Sequence, residues 1–149
     1  MPVRAATESD VDALCAMIRE FAAYEKLDHT LTFEPDDLRR HLFGPEAAAS
    51  VLVAEDDDGE VVGFALWFRT FSSFLGRPGI WLEDLFVREE HRGRGHGLAL
   101  FRALLERTEG RFECAVLDWN EPTVRFYRDL GGEPVDGWTR YRWLPGEST

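Results

Sequence analysis

The stretch from Ile80 to Leu105, IWLEDLFVREEHRGRGHGLALFRALL, constrains the fold of this chain more than any other. Its first part, up to Val87, is apolar on both faces except for Glu83 and Asp84, as is typical of a buried central strand. A glycine-rich turn follows. Apolar residues then recur at helical spacing, at Leu98, Phe101, Leu104 and Leu105. The sequence therefore predicts a strand that turns through glycines into a helix.

The turn between this strand and this helix predicts an anion-binding site. The first N–H groups of a helix have no intrahelical acceptor, and the helix dipole places partial positive charge there. Glycines allow a phosphate to approach the backbone closely, and two arginines add charge. Neither the dinucleotide fingerprint nor the P-loop is completed. A pyrophosphate is the ligand we expect, with an ordinary solvated basic turn as the alternative. The residues assigned to it are Arg92, Gly93, Arg94, Gly95, His96, Gly97 and Leu98.

A second group of residues follows the next predicted strand. Asn120 is followed seven residues later by Tyr127, and Gly131 comes four residues after that. Taken from the residues alone, Asn120 can be a helix N-cap and Tyr127 a core aromatic with its hydroxyl at the edge. A binding or catalytic role for either residue is the other interpretation.

The two groups together, in this order, resemble two motifs of the GNAT-superfamily N-acetyltransferases. The first is R-x-x-G-x-G, with Arg92, Gly95 and Gly97 at its fixed positions, and the second is the Asn–Tyr–Gly spacing. Within the superfamily the chain is similar to the spermidine/spermine (diamine) and thialysine N-acetyltransferase group. The tracts that carry this resemblance are FAAYEKL, WLEDLFV, RGRGHG, WNEPTVRFY and Gly137-Trp138.

The resemblance implies one α/β domain over residues 1–149, with a GNAT-like mixed central β-sheet flanked by helices on both faces. Hydrophobic periodicity, helix caps and turn residues predict the same class. Helices are predicted at about 8–26, 34–43, 98–105 and 120–130, and a loop at 71–79. Strands are predicted at 3–6, 50–55, 60–70, 80–87, 112–118 and 135–144.

The resemblance also implies acetyl-CoA as co-substrate. Its pyrophosphate would lie against residues 92–98, and its pantetheine arm along the backbone of Leu85, Phe86 and Val87. Asn120 is implied as a further pantetheine contact, and Arg128 as a contact to a CoA phosphate.

Two residues are implied in catalysis. An alkylammonium is almost fully protonated at pH 7, so an amine acceptor needs a general base. The resemblance places Glu83 in that role, and burial in a dry strand would raise its pKa. A buried ion pair with an arginine such as Arg69 is the alternative. Tyr127 is implied as the acid that protonates the departing thiolate. Strand alternation directs Asp84 to the face opposite Glu83, which excludes it from the same role.

The net charge of −11 suits a small cationic amine and disfavours nucleic acid, although solubility alone explains it equally well. The expected substrate lining is Glu25, Asp28, Asp84 and Trp138, each with a solvated or core alternative. The four histidines show no metal-ligand spacing, so no metal is expected. No apolar run is long enough for a membrane, and MPVRAATESD lacks a signal-peptide core, so a cytoplasmic location is expected.

Three functions remain open at this point: a small-molecule amine acetyltransferase, a protein or peptide N-acetyltransferase, and a non-catalytic acyl-CoA-binding module. The resemblance further implies a homodimer, with the aromatic C-terminal segment at its interface.

Overall fold

The computed structural model describes residues 2–146 and contains five strands and four α-helices in these residues. The strands are β1 (Val3–Ala5), β2 (Ser50–Glu55), β3 (Val61–Ser72), β4 (Arg77–Val87) and β5 (Phe112–Cys114). The helices are α1 (Val11–Tyr24), α2 (Pro35–Phe43), α3 (His96–Leu105) and α4 (Glu121–Asp129).

The strands form one mixed sheet in the order β1-β2-β3-β4-β5. The first four strands pair antiparallel with their neighbours, whereas β4 and β5 are parallel. A parallel pair requires a crossover connection, and α3 lies in it. The predicted mixed α/β sheet is therefore confirmed.

Helices cover both faces of the sheet. Residues 51–54 of β2 and 62–65 of β3 are almost all buried, and successive strand residues point to opposite faces. On one face, Leu14 and Met17 of α1 pack against Phe64 and Phe86. On the other, α3 packs against β2, β3 and β4 and buries Leu100 and Leu104. The predicted stripe of α3 is wrong at Leu105, which is exposed.

The predicted loop over residues 71–79 is wrong. β3 continues to Ser72, and β4 begins at Arg77, so that the two strands form a hairpin with Pro78 opposite Phe71. Pro78 is tolerated because β5 pairs with β4 only from Ile80 onward, so no ladder hydrogen bond is lost on that side. At Gly79 a Cβ would lie 2.4 Å from the carbonyl oxygen of Arg111, so this glycine allows close strand approach and does not make a turn.

The last two predicted strands differ from the structure. β5 ends at Cys114, four residues before the predicted end, and residues 135–144 form no strand. A strand needs a partner, and no segment between Val116 and Gly146 is in a sheet.

The chain divides into two compact units, one up to Ala115 and one from Val116 onward. The first contains the whole sheet with α1, α2 and α3, and the second contains α4. The single-domain organisation over residues 1–149 stays a prediction.

Candidate functional site

The start of α3 has open backbone amides at the place where the sequence predicts an anion-binding site. Gly95 is the N-cap in a left-handed conformation, with φ 90°, and Gly93 also has a positive φ of 77°. No side chain caps the helix, and within residues 2–146 the amides of His96, Gly97 and Leu98 donate to no backbone acceptor outside the helix. A Cβ at Gly93 would meet only open space. Bare amides with positive helix polarity fit a pyrophosphate.

Arg92 forms contacts with β4 and α1 that the sequence did not reveal. Its Nε–H donates to the carbonyl oxygen of Val87 at 2.8 Å. Its guanidinium carbon lies 4.9 Å from the ring centroid of Tyr24 and 5.4 Å from that of Phe86. Arg92 therefore joins the anion-binding loop to the end of β4 and the end of α1, and places these three parts of the first unit next to each other.

His96 is buried, although it is the first residue of α3. Its Nδ1 atom has no hydrogen-bond partner within the described residues. Burial, with help from His91 and Arg94, lowers the pKa of His96. Its imidazole is therefore neutral at pH 7, and the group of His96 that is open at the helix start is its backbone amide. Arg94, which is exposed, supplies positive charge on this loop.

The second half of β4 has a free edge. β5 pairs only with residues 80–82 of β4, so within residues 2–146 the segment from Glu83 to Val87 pairs with β3 alone. The backbone groups of Leu85, Phe86 and Val87 that point away from β3 can accept an extended ligand as an added strand. This edge leads directly to the anion-binding loop, because Arg92 binds the carbonyl of Val87.

A β-bulge interrupts β4 at Glu83. Leu66 of β3 lies opposite Asp84, and Trp67 lies opposite Leu82, which leaves Glu83 as an extra residue without a partner on β3. A bulge of this kind redirects side chains and is common next to active sites.

The predicted opposite orientation of Glu83 and Asp84 is wrong because of this bulge. Leu66 packs against the core on the α1 side, and Asp84, which pairs with Leu66, shares that face. Phe68 lies two residues further along β3 on the same face and pairs with Trp81. The indole Nε1–H of Trp81 donates to Oε1 of Glu83 at 2.9 Å, which places Glu83 on this side as well.

The expected burial of Glu83 is also wrong, since its side chain is exposed. The alternative of a buried ion pair with Arg69 is wrong too, because Arg69 lies over the Trp67 ring and forms no ion pair with Glu83 within the described residues. Asp84 is the desolvated carboxylate. Burial, with the negative charges of Glu83 and Glu25, raises the pKa of Asp84 to about 7.

The end of α1 brings a third carboxylate to this face. Glu25 is half-buried at the C-cap, and burial raises its pKa. The helix ends in a Schellman motif, with the N–H of Leu27 donating to Ala22 at 2.8 Å and that of Lys26 to Ala23 at 3.1 Å. The predicted lining residues Glu25 and Asp84 are therefore close enough to interact, whereas Asp28 is exposed in the following turn.

The second unit contains the remaining predicted residues. Asn120 is buried, and its Oδ1 accepts from the N–H of Thr123 at 3.4 Å, so the N-cap interpretation is confirmed. Tyr127 is half-buried, with its ring 5.3 Å from that of Phe126. Arg128 and Trp138 are exposed. The functional roles of all four residues stay predictions.

The described residues contain neither a metal-binding cluster nor a membrane-spanning helix. Within residues 2–146, no group of three or more His, Cys, Asp or Glu side chains could hold a metal ion. None of the helices in that part of the chain is long and apolar enough to cross a membrane.

The chain is similar to known acetyltransferases over most of its length. Residues 14–131 match the acetyltransferase (GNAT) family. The chain is 34% identical to the thialysine N-epsilon-acetyltransferase of Mus musculus, with 94% of this chain and 90% of the relative covered. It is 27% identical to an L-ornithine N5-acetyltransferase of Arabidopsis thaliana, over 98% and 85% of the two chains.

Solved structures show the same fold. An integron cassette protein from V. cholerae superposes with a TM-score of 0.77 at 23% identity, covering 97% of this chain and 93% of the other. A probable acetyltransferase superposes with a TM-score of 0.79 at 18% identity, covering 99% of this chain and 100% of the other. The open start of α3, the free edge of β4 and the family match over most of the sequence lead to one conclusion: this chain belongs to the GNAT family of acetyltransferases.

Proposed function

We propose that this enzyme transfers the acetyl group of acetyl-CoA to a primary amine of a small cationic substrate, a polyamine or a lysine-like amino acid, by direct attack in a ternary complex. The observation that carries the proposal is the position of Arg92, which holds a bare, positively polarised helix start beside the end of α1. The carboxylates Glu25, Glu83 and Asp84 interact at that end. A site for an anionic co-substrate therefore lies next to an acidic site for a cationic acceptor.

The chain supplies binding groups for acetyl-CoA along one path. The amides of His96, Gly97 and Leu98 suit the pyrophosphate, and the free edge of β4 suits the pantetheine arm. Acetyl-CoA brings an activated thioester carbonyl to which an amine can add. Main-chain N–H groups at the free edge can polarise that carbonyl. We also propose contacts from Asn120 and Arg128.

The names of the relatives support a small amine as acceptor, since they are described as thialysine and L-ornithine acetyltransferases. Both acceptors are amino acids with an amine at the end of the side chain, and the acidic face formed by Glu25, Glu83 and Asp84 suits that ammonium group. We also propose substrate-binding roles for Asp28 and Trp138. A polyamine fits the same charges, so the acceptor panel below includes both classes.

We propose Glu83 as a general base and Tyr127 as the acid that protonates the thiolate. Turnover should be measured as thiol release across diamines, triamines, thialysine, ornithine, lysine and N-terminal peptides, with wild type, Glu83→Gln and Tyr127→Phe. We expect a small amine as the best acceptor and losses of 10²-fold or more in kcat, roughly the contribution of one positioned acid or base. Wild-type rates in both variants would contradict these roles.

The same panel separates the other two functions. Preference for peptides by more than an order of magnitude would identify a protein N-acetyltransferase. Tight acetyl-CoA binding without thiol release by any amine would identify a binding module.

We further propose that the enzyme is a homodimer in the cytoplasm. Trp138, Tyr141 and Trp143 are all at least 74% exposed in the described chain, which is a large apolar surface for a monomer. Light scattering should give twice the mass of the chain, and Trp138→Ser with Trp143→Ser should shift the mass toward the monomer. A monomeric wild type would contradict the proposal.

A further inference from the structure

We propose that Asp84 is a second catalytic residue, which forms with Glu83 a carboxylate pair that takes one proton from the acceptor ammonium. This inference rests on the proposed function and goes beyond the assignment of Glu83 as the base. It depends on the bulge in β4, which places two consecutive carboxylates on one side of the strand.

The surroundings of Asp84 set it apart from the other carboxylates of the first unit. Its side chain is half-buried, and it forms no hydrogen bond or ion pair with the other residues from 2 to 146. Its partner across β3 is the apolar Leu66. The charged groups that act on it are Glu83 of its own strand and Glu25 at the end of α1, and both are negative. A buried carboxylate without a cationic partner costs free energy, so it indicates either a missing cation or a functional proton.

A cation at this place follows from an independent feature. Arg92 holds the open helix start of α3 and the free edge of β4 beside the end of α1. A thioester bound at those groups would lie next to the carboxylate pair. The missing cation is therefore the acceptor ammonium, which neutralises the pair on binding.

Glu83 and Asp84 have different environments, and this difference divides their tasks. Glu83 is exposed and receives the indole N–H of Trp81, which fixes its carboxylate in one orientation. It can meet the ammonium where the substrate enters. Burial and two negative neighbours disfavour the charged form of Asp84, so this carboxylate can accept a proton near neutral pH. A proton on one of two neighbouring carboxylates removes the repulsion between their negative charges.

The proton balance is simple. One N–H bond of the ammonium breaks, and its proton goes to the carboxylate pair while the nitrogen keeps the electron pair. The lone pair on the nitrogen forms the bond to the acetyl carbon, and the bond between that carbon and the sulfur breaks. The nitrogen loses a second proton, which is matched by the proton that the thiolate receives. The carboxylate pair then returns its proton to solvent, so that one proton is released for each turnover.

The test compares pH profiles of kcat/KM for wild type, Glu83→Gln, Asp84→Asn and the double variant, with saturating acetyl-CoA. The kcat/KM of the wild type should fall as the pH drops below about 7, where Asp84 becomes protonated. Asp84→Asn should lose at least tenfold in kcat/KM at pH 7.5, and its acidic limb should move to lower pH. In Glu83→Gln, kcat/KM should still fall as the pH drops through neutrality. The double variant should be little worse than the more damaging single variant, as expected for groups that act as one unit.

A second acceptor provides a readout that a structural role would not change. An amine carrying an electron-withdrawing neighbour is largely neutral at the assay pH and needs no base. The defect of Asp84→Asn should therefore shrink at least tenfold with this acceptor. Asp58→Asn, which changes an exposed carboxylate in the β2–β3 turn, is the matched control and should match wild type throughout.

Failure of the inference can be separated from failure of the proposed function. If wild type acetylates no amine, the proposed function is wrong. If wild type turns over while Asp84→Asn keeps both its rate and its acidic limb, only the role of Asp84 is wrong. An equal defect of Asp84→Asn with both classes of acceptor would likewise overturn it, because a misplaced strand slows every substrate alike. Unchanged CoA affinity is expected in all variants.

Discussion

The pKa values of two carboxylates in this chain, Asp10 and Asp84, are shifted in opposite directions by their surroundings. Asp10 is buried, accepts two hydrogen bonds from Arg4 at 2.8 and 3.0 Å, and accepts another from the N–H of Thr7. Arg4 lowers the pKa of Asp10, first through these hydrogen bonds. Asp84 has acidic neighbours, and its pKa is raised. The first carboxylate therefore stabilises the fold in its charged form, and the second destabilises it.

Replacement of Asp10 by Ala should lower the free energy of unfolding by about 2 to 3 kcal/mol at pH 7, because Arg4 loses its partner and the short 3-10 turn before α1 loses the capping box between Thr7 and Asp10. The pKa of Asp10 is lower in the folded state than in the unfolded state. Its contribution is therefore complete above the unfolded pKa and disappears as the pH falls through the folded pKa. Urea unfolding at pH 7 and pH 3 should show a large difference from wild type at the first pH and a small one at the second.

Replacement of Asp84 by Asn should stabilise the protein at neutral pH while it impairs catalysis. The folded pKa of about 7 exceeds the ordinary value of 3.8, so wild-type stability falls as the pH rises from 3.8 to about 7. This penalty, up to about 4 kcal/mol and less where solvent screens the charge, is absent in the variant. The melting temperature of Asp84→Asn should exceed that of wild type at pH 8 and not at pH 4. An equal shift at both pH values would contradict this origin.

At the scale of elements, short backbone motifs position the site. The Schellman motif at the end of α1 places Lys26 at φ 60°, the only described non-glycine residue with positive φ. The N-cap of α3 is likewise left-handed, but at Gly95. Both turns direct backbone or side-chain groups toward the site, and only the second has the residue that such a conformation favours.

Replacement of Lys26 by Gly should increase the free energy of unfolding by about 1 kcal/mol, since glycine adopts the left-handed conformation without strain. Thermal unfolding of Lys26→Gly, Lys26→Asn and Lys26→Ala should rank glycine first and alanine last. Alanine as the most stable of the three would show that the conformation is not strained.

Replacement of Gly95 by Ala should weaken CoA binding by at least tenfold, because a Cβ and a strained φ distort the open amides at the helix start. Gly59→Ala is the matched control, since Gly59 has φ 81° in the exposed β2–β3 turn. Both variants should lose similar stability, and calorimetric titration with CoA should distinguish them. Equal CoA affinities would mean that the pyrophosphate lies elsewhere.

The sequence predicted those elements whose ends carry specific caps or turns. The bounds of β2 and α2 were correct, because Asp56 to Gly59 form a turn and Pro35 and Gly44 mark helix ends. It failed at the hairpin, where Pro78 and Gly79 have the composition of a turn but lie in a strand. It also failed at Glu83, because strand alternation cannot show an inserted residue. The glycine-rich turn before α3 could be predicted because glycines are a local feature, although the helix begins at His96, two residues before the predicted start.

At the scale of the whole molecule, net charge determines how substrates approach. The chain carries −11 at pH 7, so a polycationic acceptor is attracted from a distance and an anionic co-substrate is repelled except at its own binding loop. Electrostatic attraction of this kind acts mainly on association and is screened by salt.

The value of kcat/KM for a triamine should therefore fall several-fold as salt rises from about 0.01 to 0.3 M, because the Debye length shortens from about 30 Å to less than 8 Å. A monoamine of similar length should show a weaker dependence. The slopes of log kcat/KM against ionic strength, at saturating acetyl-CoA, provide the measurement. Equal slopes for both amines would show that the overall charge serves solubility alone.

The inserted residue in β4 also restricts which changes in chain length this protein can accept. Deletion of Glu83 would remove the bulge and restore regular pairing, so that Phe86 would stay opposite Phe64 in the core while the two adjacent carboxylates on one face would be lost. Deletion of one residue at the tip of the hairpin, between Ser72 and Arg77, would shorten only an exposed turn. Natural variation in length should therefore concentrate at the tip and be absent from the bulge, whichever amine a given homologue acetylates.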